Sequence, residues 1–184
     1  ANSLEWMDGS REHLSPLYRR GNIITSFKHQ DAVAIVDMEQ GKLVWFKSGP
    51  WVYQHNPVLL ENGNLLVYDN NRFCDYSRVL EYNPFTREIP WYYIAAPPQA
   101  FFNKHCGAAV PLANGNILIT ESEYGRAFEV TREREIVWEF VNPGALEEKQ
   151  DVVPYLYDLT RLPTDFPLDW LPAPPSKEQG SALP

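Results

Sequence analysis

Asn56-Pro57-Val58-Leu59-Leu60-Glu61-Asn62-Gly63-Asn64-Leu65-Leu66-Val67 is a pair of apolar runs folded about an Asn-Gly dipeptide, and the pattern returns downstream. It lines up with Gly107-Ala108-Ala109-Val110-Pro111-Leu112-Ala113-Asn114-Gly115-Asn116-Ile117-Leu118. A two-residue type I′ turn needs positive φ at both central positions, and Asn-Gly tolerates this best, so each copy predicts a β-hairpin. Further along, Ser77-Arg78-Val79-Leu80-Glu81-Tyr82 matches Gly125-Arg126-Ala127-Phe128-Glu129-Val130. Each of these runs leads through a polar turn to a tryptophan, Trp91 or Trp138. A looser unit precedes them over 21–25, 32–37 and 41–45, and ends in Trp45. The three tryptophans step by 46 and 47 residues.

A period of this size marks a repeat architecture. Each unit reads as four strands: an apolar run, an Asn-Gly hairpin, a second apolar run, a loop, an alternating run, a turn, and a strand ending in Trp. That is the make-up of one propeller blade. The predicted fold is all-β, a propeller with about three four-stranded blades over residues 1–162 and a Pro-rich tail over 163–184. Three blades with partial strands in 1–17 do not close a ring, which takes about four to eight blades. The remaining blades are therefore expected from the same or another chain. Within the C-terminal part, 144–153 is polar and acidic and predicts a short helix or excursion. Residues 154–162 predict one more strand, and the proline density after residue 163 predicts an extended or disordered tail. The fixed place of the tryptophans predicts packing between blades rather than a cofactor platform. The shared position of Arg78 and Arg126 likewise points to structure.

Composition agrees with many short strands: aromatic residues make up 14%, and 16 prolines outnumber 10 glycines. At 184 residues the chain is long enough for one domain with a sizeable core. A net charge of −8 and a pI near 5.0, with no basic run, argue against nucleic acid or an acidic membrane as partner. No segment approaches the ~18 apolar residues of a membrane span, and the N-terminus lacks a signal-peptide pattern. A soluble chain is expected, any export signal having been removed or lying outside it. Cys74 and Cys106 are too few for a disulfide scaffold and have no metal-ligand spacing. One bridge between neighbouring blades and a pair of buried thiols both stay open.

Four phrases carry a family resemblance: Gln54-His55-Asn56-Pro57, the run Leu60 to Asn70, Ser77 to Tyr82, and Val137-Trp138-Glu139-Phe140-Val141-Asn142-Pro143. Together with the opening Ala1-Asn2-Ser3-Leu4, and in this order up to about Trp170, they resemble the C-terminal half of bacterial arylsulfotransferases. The resemblance implies a six-bladed propeller that transfers a sulfuryl group between phenols through a histidine. It also implies a periplasmic or extracellular protein with no nucleotide cofactor and no metal. Its partners would be an aryl sulfate or a phenolic small molecule.

Sulfuryl transfer places negative charge on non-bridging oxygens and on the leaving phenolate, so Arg and His donors are needed. A nucleophilic histidine must be neutral. By the resemblance, His55 corresponds to a sulfate-binding histidine and Arg72 to an active-site arginine. His55 equally reads as a histidine hydrogen-bonded between blades, and Arg72 as a loop arginine paired with Asp69 or Asp75. The family's nucleophile lies in a His-Tyr-Arg-Ala type phrase, whose counterpart here is Leu156-Tyr157-Asp158-Leu159, with Leu156 and Asp158 in the His and Arg places. His105 is the remaining catalytic candidate. It lies nine residues before Asn114 where His55 lies seven before Asn62, an even difference that keeps both on one strand face. His13 and His29 match no motif. The alternative function is a non-catalytic propeller serving as scaffold or ligand-binding subunit of an extracytoplasmic assembly. A quinone-dependent dehydrogenase, also a Trp-repeat propeller, lacks its acidic calcium cluster and adjacent cysteine pair here.

Overall fold

Among the described residues, twelve strands account for the repeat. They are β1 Ser3–Trp6, β2 Ile23–Phe27, β3 Ala32–Asp37, β4 Lys42–Ser48, β5 His55–Leu59, β6 Leu65–Asp69, β7 Arg78–Tyr82, β8 Trp91–Tyr93, β9 Ala108–Pro111, β10 Ile117–Glu121, β11 Arg126–Val130 and β12 Ile136–Val141. The computed structural model describes residues 1–143 and 155–171. Three sheets form in chain order, β1 to β4, β5 to β8 and β9 to β12, with every neighbouring pair antiparallel. Strand β5 packs between β1 and β9, so the first strands of the three sheets line the inside. These are three blades of a β-propeller, as the repeat predicts. Strand β1 belongs to the first blade, so the expected extra partial strands become its innermost strand.

Two apolar cores lie between the sheets. Leu65, Val67, Leu80 and Tyr82 of blade 2 meet Ile24, Val33, Ile35 and Trp51 on one side. On the other, Leu66, Tyr68 and Val79 meet Ala109, Ile117, Ile119 and Phe128 of blade 3, with Phe101 between them. Alternation of side chains along a strand sends odd and even residues of β6 into different cores, so all five of its residues are buried. Each such leucine contributes about 1.5–3 kcal/mol by leaving water.

The hairpins differ from the type I′ expectation. Leu60 N–H bonds to Asn64 O, Gly63 N–H bonds to Leu60 O at 3.0 Å, and only Gly63 has positive φ, at 82°. The second hairpin repeats this with Leu112, Gly115 and Asn116, Gly115 having φ 86°. Each is therefore a type I turn closed by a left-handed glycine, the three-residue hairpin loop. Asn62 and Asn114 keep negative φ, and their side chains are left to bond elsewhere. Because the glycines superimpose, the two copies align 52 residues apart at the turn, one more than the first residues of the quoted stretches suggest.

The tryptophans occupy the fourth strand of each blade, but at the start of β8 and in the middle of β4 and β12 rather than at the strand end. Trp91 is 7% exposed between blades 2 and 3, whereas Trp138 is 39% exposed. Packing between blades thus describes Trp91 and the half-buried Trp45, which packs against the first core. Residues 155–162 form no strand; they run as coil, and 163–171 are exposed. The expected helix or excursion over 144–153 and the tail from 172 lie outside the described residues. Both cysteines are free, Cys74 exposed and Cys106 half-buried, so neither the bridge nor the buried thiol pair forms. Among the described residues, no helix is long and apolar enough to cross a membrane.

Candidate functional site

Antiparallel blades have two rims. The Asn-Gly hairpins lie on one. The β2–β3, β6–β7 and β10–β11 connections lie on the other, with the segments that lead into β5 and β9. The candidate residues gather on this second rim, where the backbone is also unusual. Five of the seven non-glycine residues with positive φ among those described lie there: Asp31, Tyr53, Asn56, Asn71 and Asp75. Left-handed backbone at a bulky residue such as Tyr53, φ 62°, persists only where its surroundings hold it, and such positions concentrate at functional sites.

Local sequence explains how His55 is aimed. The β5–β6 pairing slips between His55 and Val58, so Asn56 and Pro57 form a bulge. Gln54, fully buried, donates from Nε2 to Ser26 Oγ and the Ala32 carbonyl of blade 1. Asn56 Oδ1 accepts from Ala109 N–H of blade 3 at 3.0 Å. His55 is held between these two ties.

Its Nδ1 sits 2.7 Å from Asn70 Oδ1. Asn70 Nδ2 donates to the carbonyls of Asn103, at 2.8 Å, and Cys106, at 2.7 Å, which fixes the amide orientation. Asn70 Oδ1 must then accept, so the neutral ring carries its proton on Nδ1 and its lone pair on Nε2. Burial holds His55 below the usual histidine value, and the Lys28 charge adds to this; the Asn70 bond, the Tyr53 carbonyl and Glu123 oppose it. The ring is neutral at physiological pH.

Arg72 does not pair with Asp69 or Asp75 in an ion pair. Its guanidinium lies 4.3 Å over the Tyr53 ring and 5.3 Å from that of Phe73. Lys28 flanks the same tyrosine at 5.0 Å, and His29 meets it edge-on at 5.2 Å. Asp69 instead accepts from Arg78 Nε at 2.6 Å, and its blade 3 equivalent, Glu121, from Arg126 at 3.0 Å. These arginines are structural, as their repeat position predicts. They hold the carboxylates that accept Val52 N–H and Phe102 N–H from the segments entering the blades.

His105 lies in the loop before β9, not on the strand, so the reading of a shared strand face with His55 does not hold. Its Nδ1 is 2.7 Å from Glu123 Oε1, and its side chain is 50% exposed. Glu123 also accepts Lys104 N–H through Oε2, while its own N–H donates to Asn103 Oδ1. The loop can pass there only because residue 107 is glycine. It has φ 136°, and a Cβ would come within 2.2 Å of the Tyr68 ring. Leu156 N–H donates to Ser122 O, and Ser122 Oγ to Tyr157 O, which brings the Leu156-Tyr157-Asp158 phrase to the same rim. The Cys106 thiol is pushed up by burial and by Glu123.

The rim thus combines a neutral histidine, a carboxylate-backed histidine, two cations and exposed aromatic rings at Phe73, Tyr155 and Tyr157. Paired carboxylate and imidazole fix a tautomer and support positive charge on the ring, as in nucleophile-activating pairs. Among the described residues, no cluster of His, Cys, Asp and Glu could hold a metal. A cavity of about 530 Å³ lies on the opposite rim between the two Asn-Gly hairpins, lined by Leu59, Leu112 and Arg132. It lies at the opposite ends of β5 and β9 from His55 and His105, on the rim that carries His13.

Sequence reasoning missed Lys28, Tyr53, Asn70 and Glu123. The repeat register held a signal for three of them: Lys28, Asn70 and Glu123 each fall within two residues of the end of a blade's second strand.

The arylsulfotransferase (ASST) family model matches residues 2–143. Among solved structures, the chain is similar to a protein of unknown function from Bacteroides caccae, at 17% identity and a TM-score of 0.48, over 66% of this chain and 42% of that one. It is similar to the WD40 β-propeller domain of Doa1 at 12% and 0.47, covering 66% and 37%, respectively. For virginiamycin B lyase from Staphylococcus aureus the values are 13% and 0.48, covering 67% and 38%. The chain therefore spans about two fifths of the length of these structures. No curated protein matches it.

Proposed function

Because the chain belongs to the arylsulfotransferase family, we propose that its histidine rim binds an aryl sulfate and passes the sulfuryl group to a phenolic acceptor. The observation that carries this reading is the His105–Glu123 pair on the same rim as neutral His55, Lys28 and Arg72. His105 Nε2 gives its lone pair to sulfur as the S–O bond to the aryl group breaks, and the phenolate leaves with that bonding pair. Glu123 balances the charge gained by the ring. Lys28 and Arg72 face the non-bridging oxygens, and the exposed aromatic rings face the aryl groups. The acceptor phenol then gives its proton to His55 Nε2 and attacks sulfur, the N–S bond breaks to restore His105, and His55 returns the proton through solvent to the released phenolate. The reading places the protein in the periplasm or outside the cell.

The test is release of a chromogenic phenol from its sulfate, with a second phenol as acceptor and the full-length protein as enzyme. His105→Asn is expected to abolish turnover, and His55→Gln and Arg72→Ala to lower it by roughly 10²-fold. A full-length protein inert with every donor and acceptor pair removes the reading.

A second reading, a ligand-binding propeller without catalysis, is favoured by Leu156 and Asp158, which stand where the family resemblance places a histidine and an arginine. Calorimetric binding of an aryl sulfate without turnover distinguishes it.

A further inference from the structure

Glu81 of blade 2 and Glu129 of blade 3 are buried in the same way on the hairpin rim. Glu81 Oε1 accepts from Asn62 Nδ2 at 2.9 Å and Asn64 Nδ2 at 2.7 Å. Glu129 Oε1 accepts from Asn114 Nδ2 at 2.8 Å and Asn116 Nδ2 at 2.7 Å. The second oxygen takes an arginine in each case. For Glu81 it is Arg132, from the β11–β12 turn of the next blade, whose guanidinium lies 5.1 Å over Trp91. For Glu129 it is Arg161, at 2.5 Å, with its guanidinium 5.8 Å from Trp138. Arg161 comes from coil, not from a blade.

We propose that Asn114, Asn116, Glu129 and Trp138 form a guanidinium-binding site whose ligand class is an arginine from the element covering blade 3, and that Arg161 fills it in cis. Residues 155–161 are then a cap in the place a further blade's turn would take. The chemistry is specific to a planar guanidinium, which can bond a carboxylate oxygen while lying flat on an indole; an ammonium cannot do both. Burial pushes Glu129 up, but the two asparagines and Arg161 outweigh it and keep the carboxylate ionised, as Asn62, Asn64 and Arg132 do for Glu81. Leu159 completes the cap by closing a pocket of about 220 Å³ with Trp138 and Phe140.

Limited chymotrypsin digestion of the full chain tests this, because cleavage at Tyr155 and Tyr157 reports how often the cap opens. Arg161→Ala is expected to speed cleavage there by about tenfold or more, the loss of a charge-assisted bond to a buried acceptor. Arg161→Lys should recover little of the protection, and Trp138→Ala, at a half-exposed position that leaves the blade folded, should open the cap as well. Wild-type cleavage in Arg161→Ala overturns the proposal. So does full protection in Arg161→Lys, which would reduce the contact to an ordinary ion pair.

Discussion

Blades 2 and 3 carry the same motif with different neighbours. Trp91 and Trp138 both pair across the sheet with a buried glutamate, and both lie under an arginine. A complete sheet covers Trp91; among the described residues, a coil segment covers Trp138. The motif therefore makes each blade ready for its neighbour, and the neighbour decides how deeply the tryptophan is buried.

The largest expected effect separates the two tryptophans. Trp91→Ala should cost about 3–5 kcal/mol in urea unfolding, the range for emptying a core aromatic site. Trp138→Ala should cost no more than about 1 kcal/mol. Equal losses would break the distinction. Acid comes next. Glu81 and Glu129 are both held below the ordinary carboxylate value, so their stabilisation is present above pH 4.5 and is lost as pH falls through the lowered values. Pepsin cleavage of 155–171 should therefore rise on acidification before the interface of blades 2 and 3 opens, because the apolar contacts of Leu66, Tyr68 and Phe128 do not titrate. Simultaneous opening would show that the cap and the blade are held alike. The glycines give the smallest difference. Both Gly63→Ala and Gly115→Ala carry the left-handed strain of about 1–2 kcal/mol. Gly63→Ala alone also presses a methyl against Leu14 and Tyr18, at 3.3 and 3.4 Å, while Gly115 faces open space. Thermal unfolding should rank Gly63→Ala slightly worse.

Much of the fold was legible because it is local and repeated. The Asn-Gly pairs, the apolar runs and the tryptophan spacing each recur, and recurrence outweighs any single ambiguous segment. Features that depend on one φ angle were not legible. Asn62 tolerates the left-handed conformation but does not adopt it, so the turn type differed from expectation while the hairpin did not. His105 was assigned to a strand by counting from Asn114, but β9 begins only after Gly107 carries the chain over the Tyr68 ring. Residues 154–162 have a strand-like composition, yet Tyr155 to Leu162 form side-chain and single backbone contacts without a ladder. Within the site, His55 and Arg72 were named from a short phrase. Their surroundings, Asn70, Lys28 and Tyr53, come from the ends of other strands and meet only once the blades stack.

The first three strands of blade 2 are each five residues long, about 17 Å of extended chain between the two rims. The hairpin tips can therefore be lengthened, tagged or attached to a solid support without approaching the histidines. An immobilised form tethered through the exposed Ala113, which leaves the asparagine–glutamate bonds intact, would present its histidine rim outward to whatever flows past.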